Sequence, residues 1–178
     1  MPEVEITATT LEEIRKAIAR VARRVGASAS QLPTYGHSDQ SGRPHLELQS
    51  GTWSYVVCER GSEFERRETR DPKELLYWVF KSVTHQMAFD FELQNRTGNR
   101  DSRRIAFARQ LELLGSLDDG WAARELEHQR AVLTEHPYDD AASERVQRYK
   151  ELRDAGHSES EAWETACSEH PLSSSADA

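Results

Sequence analysis

Carboxylates and histidines that could serve as acids, bases or metal ligands occur chiefly between positions 59 and 92, with one further motif at 125–128. Glu63 and Glu65 stand two apart on a segment that reads as a strand. Simple alternation therefore predicts both on one face, with Phe64 and Arg66 on the other. Two carboxylates held close together can divide general acid and general base between them. His85 is the second candidate base, one helical turn before Phe89 and two before Glu92, but the sequence shows no positioned partner for it. Glu125-Leu126-Glu127-His128 has the Glu-x-x-His spacing that puts two metal ligands on one helical face. A carboxylate-bridged two-metal bundle needs that motif twice, plus a carboxylate from each of two further helices. No second copy occurs, so the motif reads as decoration of a helix surface. The seven histidines are scattered, without Cys or carboxylates at zinc-like spacing. With no nucleophile or metal cluster beside the carboxylates, the expectation is a binding protein, not an enzyme, with no cofactor and no metal.

Periodicity and punctuation predict the helices and strands that carry these residues. Thr10-Leu11-Glu12-Glu13 has capping-box spacing, and Leu11, Ile14, Ile18, Val21 and Val25 follow at helical intervals before Gly26, which predicts a helix over 11–25. Residues 27–44, rich in Ser, Gly, Pro and Gln, read as a loop. Leu46 and Leu48 alternate with polar neighbours, Ser50-Gly51 marks a turn, and Trp53–Cys58 has strong β preference. Gly61-Ser62 marks a second turn, and the highly charged 63–69 reads as an edge strand. Asp71-Pro72-Lys73-Glu74 then opens a helix over 72–96 whose apolar residues occupy more than one stripe, the mark of a central helix. Thr97-Gly98-Asn99 breaks it. Helices are expected over 101–117 and 119–135, and a hairpin of helices over 141–155 and 159–169. The predicted fold is α+β: a three-stranded antiparallel meander packed against a helical bundle, followed by a C-terminal helical hairpin. Residues 1–140 form the main domain, 141–170 the appended hairpin, and 171–178 a tail too polar to order itself.

Charge narrows the function classes. The 178 residues are 37% hydrophobic and 30% charged, with a net charge of −8. Residues 1–117 hold 17 Lys/Arg against 16 Asp/Glu, whereas 118–178 hold 6 against 15. Neutralising phosphates needs clustered Lys and Arg, so nucleic acid is not an expected partner, although Lys16, Arg20, Arg23 and Arg24 share one side of the first helix and keep a nucleic-acid-binding regulator as an alternative. A basic protein partner suits this balance. No apolar run approaches the ~20 residues of a membrane helix, and the opening Met-Pro-Glu-Val-Glu lacks the pattern of a signal peptide. Cys58 and Cys167 sit in no motif. The expected location is the cytoplasm, with no membrane association.

An ordered series of motifs resembles the immunity protein 63 family of bacterial polymorphic toxin systems. It runs from Tyr55 through Glu59-Arg60-Gly61, Glu63, Thr69 and Asp71 to Glu74-Leu75-Leu76-Tyr77-Trp78. It continues with Ala88, Glu92, Arg96, Asp101, Arg103-Arg104, Phe107, Leu111 and Leu114, and ends near His136-Pro137-Tyr138 and Asp140. The resemblance covers residues 45–140 and implies a cytoplasmic protein that binds and blocks the effector domain of a toxin encoded beside it, without catalysis. A structural alternative for the motif residues is that Arg60, Glu63, Asp101 and Arg104 form a buried ion-pair network, costly to break once one partner is lost. The candidate contact residues are Glu59, Arg60, Glu63, Glu65 and Arg66 on the sheet edge, and Asp118, Asp119, Asp139 and Asp140 on the acidic surface. The alternatives are a regulatory or adaptor protein without activity, and an enzyme using Glu63/Glu65 or His85. A deep apolar cleft bordering those residues would favour the enzyme. Oligomeric state is open.

Overall fold

The computed structural model describes residues 2–96 and 100–172. The expected helix break at Thr97-Gly98-Asn99 and most of the expected tail lie outside those residues. The order of elements is α1 (Leu11–Val25), β1 (Thr34–Tyr35), β2 (Ser41–Gln49), β3 (Thr52–Glu59), β4 (Ser62–Thr69), α2 (Pro72–Asn95), α3 (Arg103–Leu117), α4 (Asp119–Glu135), α5 (Ala142–Asp154) and α6 (Glu159–Glu169). The α+β class is as expected, but the sheet has four strands and is mixed, in the order β1-β2-β3-β4. Thr34 and Tyr35 pair parallel with His45 and Leu46. A two-residue strand is too short to show any alternation, which is why 27–44 reads as loop. β2 also begins earlier than Leu46, because a register shift between Ser41 and Pro44 lets the ladder absorb a proline that would otherwise end it.

Both hairpins turn on two residues. Ser50 and Gly51 take φ of 52° and 77°, and Arg60 and Gly61 take 50° and 84°. Positive φ at both central positions matches the twist of the flanking strands. Arg60-Gly61 is thus first of all a turn, and Gln40 holds it: its backbone carbonyl accepts from the Arg60 N–H and its side chain from the Gly61 N–H.

The helices lie on one side of the sheet, with α1 against β2 and α2 against β3 and β4, and α3 packs on both helices. The core joins Leu46, Trp53 and Tyr55 of the sheet to Ile14 and Ile18 of α1, Leu75, Leu76, Val79, Phe80 and Val83 of α2, and Leu114 and Trp121 behind them. The Trp121 ring stacks on Phe80 with centroids 6.1 Å apart. Val4 and Ala8, ahead of α1, are buried too. The central role of α2 is as its stripes predict, except near its end, where Phe91 and Leu93 remain exposed. Thr10 and Glu13 form the expected capping box, and Asp71 caps α2 through the Lys73 N–H.

α5 and α6 pack on each other around Leu152, Ala162 and Ala166, with Tyr149 edge-on to Trp163 at 5.9 Å. A charged clasp ties this hairpin to the start of α3. Arg145 is buried, bonds Asp139, and donates to the carbonyls of His170 and Pro171. The Asp139 N–H in turn donates to Asp101. Among the described residues no helix is long and apolar enough to cross a membrane.

Candidate functional site

The charged strand β4 does not alternate evenly. Val57 pairs with Glu65 but Cys58 pairs with Glu63, so Phe64 is the extra residue of a bulge. Glu63 and Glu65 therefore project to opposite faces, and the expected carboxylate pair does not exist. A bulge of one residue reverses every side chain beyond it, and no residue in 62–66 announces it.

On the face away from the helices, Arg66 donates to Glu63 at 3.0 and 2.8 Å and to Glu47 of β2 at 3.0 Å. That last bond crosses over β3, and His45 adds a 3.0 Å contact to Glu47. The strap explains why Val56 is 0% exposed on a face that no helix covers. Arg66 holds the Glu63 and Glu47 carboxyls below their ordinary range.

On the other face Glu65, paired with Arg67, borders a cleft of about 480 Å³. The sheet also supplies Tyr55, and α2 supplies Trp78, Lys81, Ser82, His85 and Phe89 from one helical stripe. Arg103, Phe107 and Gln110 line it from α3, and Glu125, His128, Gln129 and Val132 from α4. The spacings 103-107-110 and 125-128/129-132 are helical stripes on which polar and apolar residues mix. Glu125 and Gln129 are buried, so Glu125 of the Glu125-x-x-His128 motif is not surface decoration, whereas His128 borders the cleft as an exposed residue. The signal was the apolar Trp121 one turn before Glu125, which places that face inward.

The polar groups inside are mostly engaged. The Lys81 ammonium lies 3.1 Å from Glu125, and the Tyr77 hydroxyl donates to the same oxygen at 3.5 Å. Burial, helped by the charge on Glu125, pushes the Tyr77 phenol up to about 12. Gln129 donates to Gln110 at 3.2 Å, and Gln110 donates to the Lys81 carbonyl. His85 is exposed at the cleft mouth, and the partial desolvation of its ring, 4.6 Å from Phe89, lowers its pKa, a shift the Gln110 side chain partly opposes. Among the described residues, no three His, Cys, Asp or Glu converge as metal ligands. The cleft combines aromatic surface from Trp78, Phe89 and Phe107 with the paired charges of Glu65, Arg67, Lys81 and Glu125.

The remaining candidates are spread over the molecule. Glu59 and Arg60 sit together at the β3–β4 turn, 3.5 Å apart, with Arg60 almost fully exposed. Asp118 is not on the surface: it is 4% exposed, caps α4 through the Gly120 and Trp121 N–H groups, accepts from Val4 N–H, and lies 3.3 Å from Lys73. Burial pushes its pKa up, but these donors outweigh it and hold the carboxyl below its usual range. Asp119 is half-buried beside it. Asp139 belongs to the hairpin clasp. Asp140 accepts a two-pronged bond from Arg104 and another from the Asp101 N–H, which together lower its pKa to about 2. Arg60, Glu63, Asp101 and Arg104 do not form one network: they pair with Glu59, Arg66, Arg103 and Asp140 respectively. The basic side of α1 is partly structural, since Arg24 donates to the carbonyls of Ser116 and Leu117 at the end of α3.

No curated protein and no solved structure matches this chain. A family match does exist, and it spans β3, β4, α2, α3 and most of α4, the elements that build the cleft, while stopping short of His136-Pro137-Tyr138 and the hairpin. Over residues 49–131 the chain matches the immunity protein 63 family, the family its ordered motifs resemble.

Proposed function

We propose that this protein is an immunity protein that binds a cognate toxin domain, encoded next to it, and neutralises it by direct contact. The observation that carries this reading is that the family match falls on the elements forming the cleft and the β4 edge. The acidic balance of the chain suits a basic effector domain. The contact surface on this reading centres on Glu65 in the cleft and extends along Glu59, Arg60, Glu63 and Arg66. Asp119, Asp139 and Asp140 form an outlying rim, and the hairpin 141–170 is an appendage to the toxin-binding unit. An interface of standard size, about 1,600 Å² in total, would need more than the cleft alone, so the strand edge is required as well. Co-expression with the neighbouring toxin is the test. Rescue of growth and a complex that survives gel filtration are expected; neither rescue nor complex would end the proposal.

The second reading, catalysis in the cleft, is favoured by one observation: Glu65 and His85 both border it. Against it, Glu65 is engaged by Arg67 and Glu125 by Lys81. Titration of toxin activity separates the two. Binding gives a stoichiometric end point, whereas catalytic inactivation gives complete inhibition at a small fraction of an equivalent.

A further inference from the structure

We propose that the cleft is the seat for one basic side chain, arginine or lysine, of the toxin domain, with Glu125 as its counter-charge. This deepens the toxin-binding reading and rests on it. The charges in the cleft are arranged unequally by depth. The Glu125 side chain is 3% exposed, whereas that of its partner Lys81 is 27% exposed and that of Arg67 is 47% exposed. The Glu125 carboxylate is fixed inside on α4, and Lys81 reaches it from the mouth on a long flexible stem, while Arg67 pairs with Glu65 nearer the surface. A Lys stem can lie along apolar surface while its ammonium returns to water. Exchanging the Lys81 ammonium for a partner's cation therefore leaves Glu125 paired throughout.

The walls suit the same occupant. Trp78, Phe89 and Phe107 present aromatic surface to the cleft, and aromatic faces attract ammonium and guanidinium groups. The Arg67 guanidinium already lies 6.0 Å from the centroid of the Trp78 ring. An anion would find the cations of the cleft already engaged, Arg67 with Glu65, Lys81 with Glu125 and Arg103 with Asp101. The volume, about 480 Å³, falls within the range of about 300–1,000 Å³ in which clefts seat small groups. The net charge of −8 favours approach of a basic domain to this chain.

The experiment measures binding of the full chain to the inactivated domain of the neighbouring toxin by calorimetry, with Glu125→Gln, Lys81→Met and Glu12→Gln variants. Glu125→Gln is expected to weaken binding by about 30-fold or more, the scale of losing one partner of a buried charge pair. Lys81→Met removes the internal competitor, so binding is expected to be unchanged or tighter. Glu12→Gln, on the exposed side of α1, is expected to bind as the wild type does. A structural role for the Lys81–Glu125 pair would instead make both cleft variants weaker together, and that result overturns the proposal. So does unaltered binding by Glu125→Gln, while leaving toxin binding itself intact. Failure of the wild type to bind removes the broader reading with it.

Discussion

The two faces of the sheet handle the same kind of residue in opposite ways. On the helix-covered face, Leu46, Trp53 and Tyr55 enter a dry core, and Glu65 with Arg67 borders a cleft beside the buried Glu125. On the other face, Arg66, Glu63 and Glu47 form a strap in contact with solvent, and His45, Ser54 and Val56 are buried on that face. The difference teaches that charge on a strand has no fixed meaning. Paired and solvated it closes off a surface; paired and enclosed it becomes a candidate binding feature.

The comparison is most open to attack in the core. Leu46→Ala is expected to destabilise the protein by about 2–5 kcal/mol in urea unfolding, through lost burial and the cavity left behind. Charge enclosed on the helical side comes next. Asp118→Ala removes a cap, the Val4 tether and the counter-charge of Lys73, and is expected to cost about 1–3 kcal/mol. Val56→Ala on the strapped face loses only part of a small side chain, for about 1–2 kcal/mol. If it costs as much as Leu46→Ala, the strap is not the whole cover of that face.

Arg66→Ala is expected to cost no more than about 1 kcal/mol at neutral pH, as surface ion pairs do. Its pH dependence is the sharper readout. Glu47 and Glu63 titrate below their ordinary value in the folded protein, so their contribution is present above that value, about 4.5, and is lost as pH falls through the lowered ones. The gap between Arg66→Ala and wild type should therefore close below about pH 4. Smallest of all, Phe64→Ala is expected to shift stability by no more than about 0.5 kcal/mol, because the bulge residue is 69% exposed. A larger loss would mean that Phe64 holds the bulge open by packing.

Much of the fold was legible because its signals are local. The boundaries of α1, α4 and α6 follow from capping residues and apolar periodicity, and the β4 edge from its charges. β1 escaped because two residues carry no period, and its pairing partner lies beyond a loop. The candidate site was legible only in pieces. Glu65, His85, Glu125 and His128 could each be singled out, but Glu65 was paired with the wrong neighbour and Glu125 placed on the surface. The bulge at Phe64 depends on how β4 fits β3, and the burial of Glu125 depends on α4 facing α2 across α3.

The α+β class, the edge character of β4, the central position of α2 and the family resemblance can all be read along the chain. Each is written in spacing or composition within a short window, where sterics and burial act on near neighbours. The tertiary structure alone decided which charges are enclosed. Enclosure depends on segments far apart in the chain meeting: β4, α2, α3 and α4 come together to form the cleft, and Arg66 crosses β3 to reach Glu47.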